Sequence, residues 1–404
     1  MTNQSCGTAL VIGGGIAGPV LAMALQKAGI EATIYEAYPR SAEGVGAGLS
    51  LAPNGLDALD VIGAARSIRS AGLPMTGIVL QDWAGRRLAE FGNPPGIAPM
   101  QFFWRTDLYQ AIYGEAADRG IRTEYGKRIV RAEEDEHGVT AYFEDGSHAT
   151  ADVLIGADGI RSTVRSLIDA DAPGPGHAGL ISFGARVRDP EVPQTGGKMN
   201  MSFGKRGFFG YQVFDAEDAV WFVNVPHPEP MTAAEARKTP PAEWLSTLAA
   251  TFADDRTPAR DLIARTDPDD LLVIGSMENM PARVPSWSKG RMVLVGDAVH
   301  APSSSSGQGA SLAIESAIEL ARCLRDLPYD EAFQAYEALR RPRVERIIKE
   351  TTRKNSDKTA GPIARTVNGL ALRVFAKLVK PEKSAWMFDY RIAWDDKVSS
   401  PVHA

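Results

Sequence analysis

A glycine-rich turn near the start of the chain constrains its fold more than any other feature. An apolar run from Ala9 leads into Gly13-Gly14-Gly15-Ile16-Ala17-Gly18, and Glu36 follows eighteen positions after Gly18. This spacing is typical of a βαβ unit that binds a dinucleotide. Gly13 allows the tight turn, Gly15 lets the backbone approach a pyrophosphate, and Gly18 lets the helix pack close to the strand. The pyrophosphate would lie at the helix N-terminus, and Glu36 would bind a ribose. Either NAD(P) or FAD fits such a unit.

Composition narrows the class of protein further. The 404 residues carry 44 basic and 50 acidic side chains, a net charge of −6, which does not favour nucleic acid or an anionic membrane as a partner. Cys6 and Cys323 exclude a disulfide framework and lack metal-ligand spacing, so we expect no metal site. Residues 8–26 are uncharged, but four glycines interrupt them and no basic segment precedes them. We therefore interpret them as the dinucleotide unit rather than a signal peptide or a membrane anchor, and expect a cytoplasmic protein.

Hydrophobic periodicity predicts the elements around this unit. Residues 8–38 are predicted as strand, helix, strand; residues 53–70 and 105–119 as helices; residues 121–144 as a β-meander; and Val153–Gly156 as a buried parallel strand. Residues 177–226 are predicted as an antiparallel sheet, followed by mainly helical chain. Two strands of this predicted sheet show alternating apolar side chains: Met199, Met201 and Phe203 on one, and Phe209, Tyr211 and Val213 on the next.

Two further motifs follow apolar strands. The first is Ala157-Asp158-Gly159-Ile160-Arg161-Ser162, directly after the strand at 153–156. The second is Gly296-Asp297-Ala298-Val299-His300, followed by Gly307-Gln308-Gly309-Ala310, where a helix is predicted to begin. Asp297 at the end of a strand can accept from a sugar hydroxyl, and the open N–H groups of the helix start can stabilise an anion. For His300 we favour a structural role in the loop over that of a catalytic base.

The three motifs in this order resemble the class A flavoprotein monooxygenases, the para-hydroxybenzoate hydroxylase-like family. The resemblance covers residues 8–325, and the ending Trp386-Met-Phe-Asp-Tyr-Arg-Ile-Ala-Trp394-Asp also resembles members of about this length. It implies an α/β fold, with a Rossmann-like FAD-binding domain, an inserted antiparallel β-sheet substrate domain and a helical C-terminus. The implied boundaries are 1–75, 100–178 and 268–350 for the FAD-binding domain, 76–99 and 179–267 for the substrate domain, and 351–404 for the C-terminal segment.

The resemblance also implies roles for individual residues, with FAD as cofactor and NADPH or NADH as co-substrate. The residues expected to bind FAD are Gly13, Gly15, Ile16, Ala17, Gly18, Glu36, Ala37, Arg40, Gly48, Leu49, Arg105, Asp158, Gly296, Asp297, Pro302, Gly307, Gly309 and Ala310. Of these, Gly48 and Leu49 belong to a loop, Gly46–Leu49, that would lie near the flavin ring together with 302–310. The residues expected to contact substrate are Met201, Phe203, Tyr211, Phe222 and Pro302, with Tyr211 also a candidate catalytic group that could polarise a substrate hydroxyl.

Departures from the family pattern bear on the substrate. Phe183-Gly184-Ala185 stands where many relatives have Trp-Arg-Gly, so a substrate-anchoring arginine is absent, which argues against urate-like and other small anionic substrates. Ala37 replaces an arginine that often follows the acidic ribose ligand, and Ser303–Ser306 replaces a more apolar loop. The expected reaction is hydroxylation of an apolar aromatic or polycyclic small molecule through a flavin C4a-hydroperoxide, by a monomer or a homodimer. Epoxidation, Baeyer–Villiger insertion and a non-catalytic FAD-binding role stay open. A halogenase is disfavoured because the chain lacks that family's Trp-x-Trp-x-Ile-Pro segment.

Overall fold

The computed structural model describes residues 6–39, 48–303, 307–355 and 381–400. The predicted FAD contact Arg40, residues 46–47 of the predicted flavin loop, and Ser304–Ser306 lie outside the described residues. The described strands, in chain order, are β1 Thr8–Ile12, β2 Glu31–Glu36, β3 Gly48–Leu51, β4 Leu73–Met75, β5 Gly77–Asp82, β6 Arg87–Gly92, β7 Met100–Trp104, β8 Arg122–Tyr125, β9 Ile129–Glu134, β10 Val139–Phe143, β11 His148–Ala151, β12 Val153–Gly156, β13 Gly176–Arg188, β14 Lys198–Phe203, β15 Phe208–Val213, β16 Asp218–Pro226, β17 Leu271–Asn279, β18 Ser288–Lys289 and β19 Met292–Leu294.

Helices alternate with these strands. The described α-helices are α1 Ala17–Lys27, α2 Pro53–Val61, α3 Ala65–Ser70, α4 Arg105–Asp118, α5 Thr163–Ile168, α6 Ala233–Ala236, α7 Pro241–Thr251, α8 Ala259–Ala264, α9 Asp297–His300, α10 Gly309–Asp326 and α11 Tyr329–Asn355. Short 3-10 helices span Pro268–Asp270 and Pro381–Met387. No helix in the described ranges is both long and apolar enough to cross a membrane.

A six-stranded sheet in the order β18-β19-β12-β1-β2-β8 carries the N-terminal βαβ unit. β1 pairs in parallel with β2 and β12, and β12 pairs in parallel with β19. The central strands are apolar throughout because both faces of the sheet are covered. Helices such as α1 pack on it, and the β9-β10-β11 sheet adds side chains such as Val139 and Phe143 to the same core. The carboxyl ends of β1, β12 and β19 are therefore neighbours, and each is followed by one of the three sequence motifs.

The prediction that β8 belongs to the meander is wrong. β8 pairs in parallel with β2 at the edge of the six-stranded sheet, whereas β9, β10 and β11 form the expected antiparallel sheet. An edge strand half exposed to water has the same alternation as a meander strand, so periodicity does not separate the two.

The second large sheet has seven strands in the order β17-β13-β16-β15-β14-β5-β6. Its core on one face is made with α7 and α8, where Trp221, Phe183 and Phe252 are fully buried. β17 pairs with β13, so this sheet extends to Asn279, beyond the predicted limit at 267. The other face packs against a small sheet, β3-β7-β4, whose central strand β7 was not predicted from the sequence.

Candidate functional site

The glycines of the first turn face different surroundings. Gly13 has φ +106°, and a Cβ built on it would lie 2.5 Å from the carbonyl oxygen of Ala157 and 2.8 Å from Cα of Asp158. A Cβ on Gly18 would overlap the carbonyl oxygen of Gly13. A Cβ on Gly15 meets no atom within 4 Å. The protein's own packing therefore requires Gly13 and Gly18, while Gly15 opens onto a space that a ligand can fill. Ile16 and Ala17 follow at the start of α1.

Glu36 at the end of β2 reaches back to this turn. Its carboxyl group is buried, and it accepts hydrogen bonds from the N–H of Gly14 at 2.6 Å and of Tyr38 at 2.9 Å. Ala37 is half-buried beside it. On the other side of the turn the hydroxyl of Tyr113 donates to the carbonyl oxygen of Gly14. Sequence reasoning missed Tyr113, because only its position on α4 brings it to the turn.

Asp158 organises its own loop. Its carboxylate accepts from the hydroxyl of Ser162 at 2.5 Å and from the N–H groups of Thr163 at 2.7 Å and Val164 at 3.1 Å. Burial raises the pKa of Asp158, against the lowering effect of these hydrogen bonds. The carboxylate thus fixes the start of α5, and the backbone of Asp158 packs against Gly13.

Asp297 and Arg105 carry opposite charges that interact through space. Asp297 is exposed, yet desolvation by the surrounding protein raises its pKa, while Arg105 lowers it. Open surface on a carboxylate that nearby protein atoms desolvate is typical of a group that lines a cleft. Arg105 donates to the hydroxyl of Tyr109 at 3.2 Å, and its Nε is buried without a partner among the described residues. Both groups can therefore bind a polar ligand.

The predicted flavin-facing segments are held together. α10 begins at Gly309 with no side-chain cap at Gln308, and a Cβ on Gly309 would lie 3.8 Å from buried Pro302. β3, which contains Gly48 and Leu49, leads into α2, where Ala52 N–H donates to Ser311 Oγ at 2.9 Å. Gly296 lies between α1 and α10, with a built Cβ 3.2 Å from Ala17 and Ala313.

An apolar surface adjoins these segments. Gly307 has φ +61°, and a Cβ on it would lie 3.1 Å from Cε of Met100. Met100 belongs to a cluster between the seven-stranded sheet and β3-β7-β4, which we call the methionine–aromatic cluster: Leu73, Met75, Met100, Phe102, Trp104, Met199, Met201, Phe214, Val220 and Phe222. Met201 and Phe222 flank Gly210 in register, and the Phe222 ring covers Gly210 so closely that a Cβ there would overlap it. Phe203 packs against Phe208 at the end of β14, with ring centroids 5.3 Å apart.

The structure separates Tyr211 from these side chains. Tyr211 pairs with Asn200 and Trp221 across the sheet, and it packs in the opposite core with Phe209 under α7 and α8. Because neighbouring residues of a strand alternate in face, Tyr211 and Met201 cannot line the same surface. The prediction that Tyr211 lines one pocket together with Met201, Phe203 and Phe222 is therefore wrong, whereas substrate contact by Tyr211 itself stays a prediction. The sequence showed the alternation but not the register that decides which face meets the cofactor domain.

His300 is structural, as expected. It is buried against Trp287, and its Nε2 lies 2.9 Å from Ser316 Oγ. Burial lowers the pKa of His300 to about 3, so the ring is neutral at physiological pH. No group of three or more potential metal ligands occurs in the part of the chain that the structure describes.

Fold and site together define a nucleotide-binding α/β protein of the flavoprotein type. Three features fit FAD, whose pyrophosphate and ribityl hydroxyls would contact them: the open space at Gly15, the Arg105 Nε without a partner among the described residues, and the carboxylate of Asp297. Residues 7–351 match the FAD binding domain family. The chain belongs to this family and is a class A, para-hydroxybenzoate hydroxylase-like, FAD-dependent monooxygenase.

Known relatives agree with this assignment. The FAD-dependent urate hydroxylase of Klebsiella pneumoniae is 31% identical over 364 residues, which cover 87% of this chain and 90% of the relative. The 3-amino-4-hydroxybenzoate 2-monooxygenase PtmB3 of Streptomyces platensis is 33% identical over 350 residues, covering 83% and 85%. The crystal structure of Klebsiella pneumoniae HpxO complexed with FAD and uric acid superimposes with a TM-score of 0.81 at 27% identity, covering 95% of this chain and 96% of the other.

Proposed function

We propose that this enzyme uses NAD(P)H and dioxygen to hydroxylate a neutral, apolar aromatic or polycyclic small molecule. FAD supplies the redox chemistry when bound, accepting a hydride from NAD(P)H and passing electrons to dioxygen. The single observation that carries the substrate class is the methionine–aromatic cluster, which brings four methionines and four aromatic side chains together beside Gly307. Methionine adapts its shape and aromatic rings stack, which suits a flat hydrophobic substrate.

The charge on this face supports a neutral substrate. Gly184 lies opposite Phe222 in the register of β13 and β16, so no side chain projects there to anchor an anion. Arg186 lies opposite Val220 on the same face and covers the Trp104 ring at 4.8 Å. Its guanidinium is paired with both carboxylate oxygens of Asp218, at 2.8 and 2.9 Å, which leaves little net charge for a substrate carboxylate.

The cofactor contacts form the second part of the proposal. Gly13, Gly15 and Gly18 hold the pyrophosphate, Glu36 the adenosine ribose, and Arg105 and Asp297 the central region of FAD. Gly48, Leu49, Pro302, Gly307, Gly309 and Ala310 surround the flavin ring. The N–H groups at the start of α10 stabilise negative charge on the pyrimidine side of the reduced ring. The proximity of Gly307 to Met100 supports the proposal that this ring lies beside the methionine–aromatic cluster. In that position the cluster excludes water and orients the substrate.

Substrate-stimulated NAD(P)H oxidation tests this function. The FAD-loaded enzyme is screened with neutral fused aromatic compounds, such as 2-naphthol, and with carboxylated analogues, such as 2-naphthoic acid, under ¹⁸O₂. We expect a neutral compound to stimulate oxidation and to gain one labelled oxygen atom, and the carboxylated analogue to be poorer. Phe222→Ala should raise KM, while Tyr142→Phe on the distant β9–β11 sheet serves as the control.

The outcomes separate the alternatives. An ester or epoxide product would assign Baeyer–Villiger insertion or epoxidation in place of hydroxylation. Tight binding of neutral aromatics without any labelled product would assign a non-catalytic role. A preference for the carboxylated analogues would refute the proposed substrate class.

A further inference from the structure

The first turn of α2 is joined to the first turn of α10 by buried polar contacts. Asn54 has no exposed surface, and its Nδ2 donates to Gln308 Oε1 at 3.0 Å and to Glu315 Oε1 at 2.6 Å. One amide therefore links the residue that precedes α10 to a carboxylate nearly two turns further along the same helix. Gly55 packs directly on Ser311, where a Cβ would lie 2.7 Å from Oγ. The two helix starts are consequently fixed against each other.

Two arginines hold Glu315, the carboxylate that accepts from Asn54, in place. It is fully buried and accepts from Arg340 Nη2 at 2.5 Å and from Arg343 Nε and Nη2, both at 2.9 Å. Burial raises the pKa of Glu315, but Arg340, Arg343 and the Asn54 amide outweigh it and hold the pKa below its usual range. A carboxylate can only accept hydrogen bonds, so the Asn54 side chain must turn its Nδ2, and not its Oδ1, toward Glu315. Arg343 also donates to the carbonyls of Trp386 and Met387, which ties the C-terminal segment to the same network.

Such a network contributes geometry more than stability. Buried ion clusters are often no more stable than apolar side chains of the same volume, because desolvation offsets the attraction between the charges. Their clear consequence here is that Gln308 Oε1 accepts a directed hydrogen bond from Asn54, immediately before Gly309 and Ala310 at the start of α10. An apolar contact could not define that orientation.

We propose that Asn54 is a positioning residue, which sets the orientation of the first turn of α10 toward the flavin through Gln308. The proposal rests on the placement of Gly309 and Ala310 at the flavin ring in the proposed function. N–H groups directed at the ring stabilise reduced, negatively charged FAD more than oxidised FAD. Without Asn54, the reduced form should therefore lose more binding free energy than the oxidised form.

The midpoint potential of bound FAD reports this difference. It is measured by reductive titration against a reference dye, with neither substrate nor NAD(P)H present. We expect Asn54→Ala to lower the ratio of reduced to oxidised FAD affinity about tenfold, a fall of about 30 mV for a two-electron couple. Gln308→Met removes the same hydrogen bond from the other side and should shift the potential in the same direction.

Ser316→Ala is the matched control. Ser316 is equally buried, and it contacts His300 at 2.9 Å and Arg340 at 3.2 Å, but it is not bonded to Gln308 by any described contact. This variant should lower the melting temperature and leave the potential unchanged. If Asn54 acts through Gln308, the double variant should shift the potential no further than Asn54→Ala alone.

Several results would overturn the proposal: an unchanged potential in either single variant, an equal shift in Ser316→Ala, or additive shifts in the double variant. If Asn54→Ala does not retain FAD, the potential of Gln308→Met decides alone. Because the titration needs no turnover, failure of the proposed hydroxylation leaves this outcome intact, and the two failures are distinguishable.

Discussion

Gly15 and Gly13 belong to one motif but should respond to the same substitution in opposite ways. In Gly15→Ala the new methyl group meets no protein atom within 4 Å, so the FAD-free fold should keep its stability. It could gain about 0.5 kcal/mol, because alanine has fewer unfolded conformations than glycine. In Gly13→Ala the residue must adopt φ +106° with its Cβ 2.5 Å from a carbonyl oxygen, which should cost about 3 kcal/mol.

FAD affinity should show the reverse pattern for Gly15. Its methyl group occupies the space through which the backbone N–H groups would approach the pyrophosphate. Loss of one charge-assisted hydrogen bond is worth about 1.5–3 kcal/mol, so Kd should rise roughly 10- to 150-fold. Gly14 is less informative, because a Cβ there would already meet Glu36 Oε2 at 2.9 Å.

The assay has two parts, both on protein stripped of flavin. Urea unfolding gives the free energy of the FAD-free fold, and quenching of flavin fluorescence gives Kd for FAD. The reasoning fails if Gly15→Ala loses more than about 1 kcal/mol without FAD, or if it binds FAD within twofold of the original protein. The first result would mean that the space at Gly15 is not open, and the second that the cofactor does not occupy it.

Three further predictions follow from the described contacts. Glu315→Gln leaves Arg340 and Arg343 facing a neutral amide, which should cost about 3–5 kcal/mol in urea unfolding; a loss below 1 kcal/mol would contradict a buried ion cluster. His300 has a folded pKa of about 3, below its unfolded value, so its contribution to stability is complete above about pH 6.5 and falls by about 1.4 kcal/mol per pH unit as pH drops toward 3. His300→Gln should flatten that acid limb, and an identical pH dependence would refute the assignment. Tyr211→Phe should leave kcat/KM within about twofold, because Tyr211 faces α7 and α8; a loss of tenfold or more would restore it as a site residue.

The convergence of the three motifs was predictable because their signals are local. Each of the three motifs directly follows an apolar strand, and parallel strands of one sheet end at the same edge, where α/β proteins bind their ligands. Once β1, β12 and β19 are recognised as such strands, Gly13, Asp158 and Asp297 must come close together. The structure adds that the Asp158 carboxylate accepts hydrogen bonds from its own loop, whereas the Asp297 carboxylate has exposed surface. Residue type and spacing do not distinguish these two carboxylates.

The substrate side was less predictable because it depends on register between distant strands. Alternation places Tyr211 and Met201 on opposite faces only after the pairing of Asn200 with Tyr211 is known, and a shift of one residue would exchange the two. β7 was missed for a related reason: Met100–Trp104 is too short to show a period, and β3 and β4 on either side stabilise it. The same strand brings Met100 against Gly307, which joins the segment before α10 to the methionine–aromatic cluster. The methionine–aromatic cluster is thus assembled by the pairing of β5 with β14, more than one hundred positions apart, and by the approach of Met100 to Gly307. No local pattern in the chain encodes either contact.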